Sequence, residues 1–269
     1  MLYLGTVAGL ALPRQADTPL LARCHYRGQP DSVRALPASL HEISGLAIHG
    51  GVLLAHDDEL GRIYTINPLT GTVTTFATLR GPIYDDFEGI AVLGDTVWLI
   101  TSSGRLYGVK ATASRAPVAY ALYHTGLGKR CELEGLAADA ANGVLLLPCK
   151  ALPKNGPGML VYRWHAAKRT LATPMAVSVT AKAMKKAGAP SLRPSAVEVV
   201  PGGDHLLVLS SSPQALLELD GAGVPQGYIR LPSSHAQPEG LAIGANGDIF
   251  ISDEGQNRTG TLSVYRCHP

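Results

Sequence analysis

The sequence predicts an all-β protein, a five-bladed β-propeller, and three observations carry this prediction. A short motif recurs five times along the 269 residues: a small or acidic residue, usually glycine next, then two apolar residues. Its copies are spaced by 44, 46, 61 and 44 residues and are centred on Ser44, Glu88, Glu134, Ser195 and Glu239. A four-stranded blade needs about 40 to 50 residues. Short apolar runs separated by turn residues fill each interval, which is typical of antiparallel blades around an axis.

Each unit repeats the same order of strands. The motif opens the first strand, and a Gly, Asn or Asp turn leads to the second. The predicted second strands are VLLAHDD, VWLITSS, VLLLPCK, LLVLSSS and IFISDEG. The predicted third strands are GRIYTIN, GRLYGVK, GMLVYRW, QALLELD and GTLSVYR. Four units have a fourth strand: TVTTFAT, VAYALYH, LATPMAVSV and GYIRLP.

The fifth unit ends after its third strand, so the N-terminal part of the chain is predicted to complete it. The segment LLARCHYRG, residues 20–28, is available for this role. A borrowed strand closes the ring and removes an exposed sheet edge. The long third interval contains the lysine-rich stretch AKAMKKAGAPSLR. We interpret it as an insertion between blades, with a short helix within residues 181–192.

The chain is predicted to form a single propeller domain over residues 20–269. Residues 1–19 are an N-terminal extension or the remnant of a signal peptide, because they begin with an apolar stretch but lack a basic n-region. An ordinary first strand is the alternative. No apolar run reaches the roughly 20 residues that a membrane-spanning helix needs.

The composition excludes several function classes. The chain is 46% hydrophobic and 16% charged, which is enough to bury a core and is unlike a disordered protein. The net charge is +2 and no long basic tract is present, so nucleic acid is not an expected partner. The sequence contains no Gly-x-Ser-x-Gly elbow, P-loop or dinucleotide-binding fingerprint.

Four cysteines test the predicted closure of the ring. Cys24 lies on the segment expected to pair with the strand that ends at Cys267, so these two are predicted to form a disulfide. Cys131 and Cys149 flank the first and second strands of the third unit at the same end, which predicts a second bridge. Disulfides form in oxidising compartments, so the protein is expected to be periplasmic or secreted. Four reduced, buried thiols are the alternative.

The repeat also gathers carboxylates at one end of the predicted propeller. The start of each first strand and the end of each antiparallel second strand share one face. We call the five motif residues, Ser44, Glu88, Glu134, Ser195 and Glu239, the inner ring. The rim is the surrounding set of acids: Glu42, Asp57, Asp58, Asp86, Glu132, Asp253 and Glu254. The inner ring and the rim together form the acidic mouth.

Carboxylates this close repel one another, which raises their pKa unless a cation compensates. Arg130, Lys150 and Arg193 lie nearby in the repeat and supply part of the compensation. A bound ion would supply the rest: the three carboxylates and two serine hydroxyls of the inner ring are the predicted metal or ligand site, with the rim around them, and such oxygens suit Ca²⁺ or Mg²⁺. The alternative is structural: the acids bond backbone N–H groups of neighbouring blades, and Gly45, Gly89, Gly135 and Gly240 relieve crowding at the axis.

The sequence resembles the SdiA-regulated (YjiK-like) family of bacterial propeller proteins over residues 40–266. The most specific parts are RPSAVEVVPGGDHLLVLSSSPQALLELDGAG and QPEGLAIGANGDIFISDEG. The resemblance implies an envelope-associated or secreted propeller with a metal site in its channel, and it implies no established reaction. The Glu-Gly motif is more distantly similar to that of calcium-dependent lactonase propellers. Those hold an axial Ca²⁺ with Glu, Asn and Asp, and the matching Asn residues are absent here.

We therefore expect a binding module whose acidic mouth holds a divalent cation and takes a small polar ligand or a protein loop. The alternative is a metal-dependent hydrolase of the lactone or ester type at the same mouth, with Glu134 or Asp253 as the base. Nothing in the sequence distinguishes a base from a metal ligand, and the expectation leans away from an enzyme.

Overall fold

The computed structural model describes residues 18–26, 28–150, 157–189, 191–256 and 258–269, and these fold into five antiparallel sheets of four strands. A helical turn, α1 (Leu20–Arg23), precedes β1 (Ser32–Ala35). Blade 1 contains β2 (Ile43–His49), β3 (Val52–Asp57), β4 (Arg62–Ile66) and β5 (Val73–Thr78). Blade 2 contains β6 (Phe87–Leu93), β7 (Thr96–Thr101), β8 (Arg105–Lys110) and β9 (Tyr120–His124).

The remaining blades follow the same order. Blade 3 contains β10 (Ala137–Asp139), β11 (Val144–Pro148), β12 (Met159–His165) and β13 (Thr170–Val179). The helix α2 (Ala181–Lys186) lies between blades 3 and 4, as the lysine-rich stretch predicts. Blade 4 contains β14 (Arg193–Val199), β15 (Leu206–Ser212), β16 (Gln214–Leu219) and β17 (Pro225–Arg230). Blade 5 contains β18 (Pro238–Ile243), β19 (Ile249–Asp253) and β20 (Thr261–Tyr265), and β1 completes it.

The first strand of each blade lies at the axis, which confirms the five-bladed propeller. Strand β2 contacts β6, β6 contacts β10, β10 contacts β14, β14 contacts β18, and β18 contacts β2. Four of these strands begin within two residues of the motif positions. Strand β10 is the exception and begins at Ala137, although an antiparallel bridge between Leu133 and Cys149 extends the pairing toward the motif.

The ring is closed by an N-terminal strand, as predicted, but this strand is not the predicted segment. Strand β1 pairs antiparallel with β20, with Ser32 opposite Val264 and Ala35 opposite Thr261. The prediction that residues 20–28 form this strand is wrong. The backbone N–H groups of Leu20 and Leu21 donate to the buried carboxylate of Glu218, at 2.7 and 2.8 Å. These bonds hold the start of α1 against blade 4, and the chain reaches the sheet edge only afterwards.

The core consists of five apolar clusters, one between each pair of neighbouring blades. Between blades 1 and 2, for example, Leu54 and Leu99 are fully buried in one cluster. Side chains alternate along a strand, so both faces of a blade supply residues to such clusters. Removing this apolar surface from water is the main force that holds the blades together.

Glycines allow the inner strands to approach each other at the axis, as the sequence analysis expected. A Cβ atom on Gly89 would lie 2.5 Å from the carbonyl carbon of Gly135 and 2.5 Å from the nitrogen of Leu136. A Cβ atom on Gly135 would lie 2.7 Å from the Cα of Ala196, and its φ of +84° also favours glycine. Side chains at these positions would push neighbouring blades apart.

Both predicted disulfides are present. Cys24 bonds Cys267 with a Cα–Cα distance of 4.7 Å, and Cys131 bonds Cys149 with a distance of 5.7 Å. Cys24 follows the helix α1 rather than lying on a paired strand. The first bridge therefore ties the N-terminal segment, instead of a sheet ladder, to the end of the chain.

Within the described ranges, no helix is long and apolar enough to cross a membrane. Residues 1–17, most of the predicted N-terminal extension, lie outside the described residues.

Candidate functional site

The three glutamates of the inner ring lie close enough to influence each other's ionisation. Burial and the charge of Glu134 raise the pKa of Glu88, to which Asp86 and Glu239 also contribute. Burial raises the pKa of Glu239 to about 8, and the neighbouring charge of Glu134 adds to this effect. The repeat thus brings these carboxyls together from three different blades.

Lys150 provides a positive charge inside this cluster. Its Nζ atom lies 2.6 Å from Oε1 of Glu134, whose side chain is only 1% exposed, and 3.9 Å from Oε1 of Glu132. Burial raises the pKa of Glu134, and the hydrogen bond and charge of Lys150 oppose that rise. Burial also disfavours the charged form of Lys150, but Glu134 outweighs it and raises the pKa of the ammonium. The carboxylate of Glu134 therefore already has a cationic partner from the chain itself.

The other two cations considered from the sequence are not used in this way. Arg130 donates from Nη1 to the sulfur of Met175 at 3.3 Å. Arg193 is exposed, and among the described residues it forms no ion pair. Of these three cations, Lys150 alone pairs with a carboxylate of the inner ring in the part of the chain that the structure describes.

The two serines of the inner ring link neighbouring blades. The hydroxyl of Ser44 donates to Oε2 of Glu88 at 3.2 Å, which joins blades 1 and 2. The hydroxyl of Ser195 donates to the backbone carbonyl of Pro238 at 2.7 Å, which joins blades 4 and 5. Within the described residues, no backbone N–H donates to the carboxylates of Glu88, Glu134 or Glu239. Serine hydroxyls are therefore the donors of both links, and the carboxylate of Glu88 is the acceptor of one of them.

Three rim carboxylates converge, and among the described residues they have no cationic partner. Oxygen atoms of Glu42, Asp57 and Asp58 all lie within 4.8 Å of one another. Burial raises the pKa of Asp58 to about 7, and the charges of Glu42, Asp57 and Glu254 add to that rise. Oδ1 of Asp58 is buried and has no hydrogen-bond partner among the described residues. We call Glu42, Asp57 and Asp58 the rim cluster.

The other predicted rim residues have separate roles. Asp86 accepts a hydrogen bond from the hydroxyl of Ser102. Glu254 accepts one from the side-chain amide of Gln237. Both carboxylates therefore have polar partners of their own.

Asp253 is buried and belongs to a chain of hydrogen bonds that the sequence did not predict. Its Oδ2 atom lies 2.7 Å from Nδ1 of His235, and Nε2 of the same ring lies 2.7 Å from the hydroxyl of Tyr265. His235 is 1% exposed, so this chain of hydrogen bonds is buried. The spacing of His235, Asp253 and Tyr265 along the chain gives no signal of this contact in the sequence.

His56 closes the space behind Gly45. Its side chain is fully buried, and burial lowers its pKa to about 4, so the ring is neutral. A Cβ atom on Gly45 would lie 2.6 Å from Nε2 of His56. The imidazole therefore occupies the space that a side chain at position 45 would need.

As far as the described residues define it, the acidic mouth does not lead into an open channel. The cavity on the axis has a volume of about 10 Å³, which is at the lower limit for a single water. Its lining includes four apolar side chains and two residues of the inner ring: Leu46, Ile90, Leu136 and Leu241, with Ser44 and Glu239. A ligand of the mouth must therefore bind from the surface.

These features define a class: a disulfide-bonded β-propeller with an acidic mouth on one face. The two disulfides indicate an oxidising environment outside the cytoplasm. The chain belongs to the SdiA-regulated family, whose model matches residues 34–258. No curated protein matches the sequence.

Solved structures share the fold at low sequence identity. The glutaminyl cyclase of Myxococcus xanthus is 17% identical with a TM-score of 0.60, and the match covers 88% of this chain and 94% of that one. A luciferin-regenerating enzyme is 12% identical with a TM-score of 0.52, covering 87% and 94%. A chain of a mitotic checkpoint complex is 10% identical with a TM-score of 0.52, covering all of both chains. At these identities the likeness shows the fold alone.

Proposed function

We propose that this protein is a binding module of the periplasm or the cell exterior whose acidic mouth holds a divalent cation, Ca²⁺ or Mg²⁺. The ion would in turn recruit a small polar ligand or a loop of a partner protein. The observation that carries this proposal is the rim cluster, where Glu42, Asp57 and Asp58 converge within 4.8 Å. Hard oxygen ligands of this kind suit Ca²⁺ and Mg²⁺.

The charge balance supports the rim cluster rather than the inner ring as the ion site. Of the three glutamates in the inner ring, Glu134 already has Lys150 as its cation. Among the described residues, no lysine or arginine forms an ion pair with Glu42, Asp57 or Asp58. A bound cation would lower the raised pKa of Asp58 and give its buried Oδ1 a partner.

A calcium titration tests the proposal. Isothermal titration calorimetry at pH 7.5 is expected to detect Ca²⁺ binding, and Asp58→Asn should weaken it by about tenfold or more because one charged ligand is lost. The matched control is Asp95→Asn, which changes an exposed carboxylate of blade 2 outside the acidic mouth. Equal weakening by both variants, or equal melting temperatures with calcium and with chelator, would refute the rim site.

Metal-dependent hydrolysis is the second candidate function, and one observation favours it. Glu134 is buried beside Lys150 with a raised pKa, which is suitable for a general base near neutral pH. In this case Glu134→Gln would abolish calcium-dependent hydrolysis of lactones or esters while Ca²⁺ binding is retained. Absence of hydrolysis across a panel of lactones and esters would exclude the hydrolase and leave the binding module as the proposed function.

A further inference from the structure

Blade 3 contains a cavity on the face opposite the acidic mouth. Its volume is about 550 Å³, which falls in the range of small-molecule sites. It lies where β10 ends at Asp139, β12 ends at His165 and β13 begins at Thr170. The mouth lies at the opposite ends of the same antiparallel strands, so the two sites are independent.

A large irregularity in the sheet creates this cavity. Tyr162 of β12 pairs with Ala176 of β13, but Trp164 pairs with Leu171. Residues 172–175 therefore leave the ladder opposite Arg163, whereas a regular strand would continue past it. Part of this excursion forms a wall of the cavity. The chain thus builds a hollow beside Arg163.

Basic side chains line the hollow. Arg163 and His165 are two residues apart on β12 and therefore project from the same face of the strand, and Lys168 lies in the turn that follows. The lining carboxylate of Asp139 is already engaged, because its two oxygens accept hydrogen bonds from the backbone and side chain of Asn142 at 3.1 and 2.7 Å. Across the described part of the chain, neither Arg163 nor Lys168 forms an ion pair.

We propose that this cavity binds a phosphate group, carried by a small organic molecule or present as the free ion. The guanidinium of Arg163 offers a planar fork that matches phosphate oxygens, and Lys168 adds a point charge. The two positive charges together match a phosphate dianion better than they match a single carboxylate. The hydroxyls of Thr170 and Thr173 line the same space and supply further donors. The cavity leaves room for an organic group beside the phosphate.

Calorimetry on the full chain tests this site with three probes at constant ionic strength: inorganic phosphate, phenyl phosphate and acetate. Arg163→Gln should weaken phosphate binding by about tenfold and Lys168→Gln by about threefold, because each loses a charge-assisted contact. Lys110→Gln is the matched control. It removes an exposed lysine at the corresponding end of a different blade, blade 2, and should leave the affinity unchanged. Acetate is expected to bind at least about tenfold more weakly than phosphate.

The comparison of phenyl phosphate with inorganic phosphate distinguishes the two sources of the phosphate group. Tighter binding of phenyl phosphate than of inorganic phosphate assigns the site to a phosphorylated small molecule, and equal affinity assigns it to the free ion. No phosphate binding at millimolar concentration would overturn the proposal. So would acetate binding as tightly as phosphate, or an effect of Lys110→Gln as large as that of Lys168→Gln. The exposed Lys168 keeps the test valid if Arg163→Gln fails to fold.

Discussion

At the scale of single residues, the ionisation of the acidic mouth depends on Lys150. It pairs with Glu134, whereas Glu239 is 7% exposed and its Oε2 has no partner among the described residues. A buried carboxyl without a cation keeps its proton to higher pH. The inner ring therefore combines an ion pair with carboxyls that hold protons near neutral pH.

Replacing Lys150 should destabilise the fold at neutral pH. Lys150→Met leaves the buried Glu134 without its cation and should lower the free energy of unfolding by about 1–3 kcal/mol, less than for a fully buried pair because Lys150 is partly exposed. Urea denaturation at pH 7.5 measures this, with Lys129→Met as the exposed control. Adding Glu134→Gln should recover most of the loss. No recovery in the double variant would argue against an electrostatic cause.

The raised pKa values also predict how stability changes with pH. The pKa of Glu239 is raised from 4.5 to about 8, so between these values the folded protein holds a proton that the unfolded chain has released. The contribution of Glu239 to the free energy of unfolding should then fall as pH rises from about 4.5 to 8. Glu239→Gln stays neutral throughout and should flatten this slope in melting curves, whereas Asp95→Asn should not. An unchanged slope in Glu239→Gln would contradict the assignment.

At the scale of elements, the glycines of the inner strands set how closely the blades approach. Gly89 of β6 faces the backbone of Gly135 and Leu136, where no flexible side chain can move aside. This contact comes with a backbone hydrogen bond of 2.6 Å from the N–H of Gly135 to the carbonyl of Glu88. The packing of neighbouring inner strands thus also positions the inner ring.

A methyl group at this position should disrupt the contact between blades 2 and 3. Gly89→Ala places a Cβ atom 2.5 Å from backbone atoms of the next strand, which should cost about 1–3 kcal/mol or more through overpacking. Gly28→Ala is the control, because a Cβ there meets no atom within 4 Å. Thermal unfolding of both variants gives the comparison, and similar melting temperatures would show that the axis is less crowded than the distances indicate.

At the scale of the whole molecule, covalent closure joins the two ends of the described chain. The Cys24–Cys267 bridge spans 243 residues, and the Cys131–Cys149 bridge spans 18. The first strand β1 adds backbone pairing to the last blade beside the longer bridge. The ring is thus closed by a strand and a disulfide together.

The longer bridge should contribute more to stability. In the chain-entropy model, its loss by Cys24→Ala with Cys267→Ala should cost about 5 kcal/mol, and loss of the shorter bridge by Cys131→Ala with Cys149→Ala about 3 kcal/mol. Denaturation under non-reducing conditions measures both. A larger loss for the shorter bridge would mean that it acts mainly by holding Lys150, the next residue, in the mouth.

The sequence by itself determined the number of blades and the strand order within them, and it predicted the inner-ring positions and both disulfide pairs, although the segment that contains Cys24 is not the closing strand. It could do so because a repeat fixes equivalent positions, and near-symmetry brings equivalent positions together. Only the tertiary structure decided that Ser32–Ala35 closes the ring, because the carboxylate of Glu218, far along the chain, bonds the backbone of Leu20 and Leu21 and holds that segment against blade 4. It likewise decided that Lys150 pairs with Glu134, while Glu42, Asp57 and Asp58 converge with no lysine or arginine paired to them among the described residues. Such contacts depend on distances between side chains of different strands and blades, which the repeat pattern does not encode.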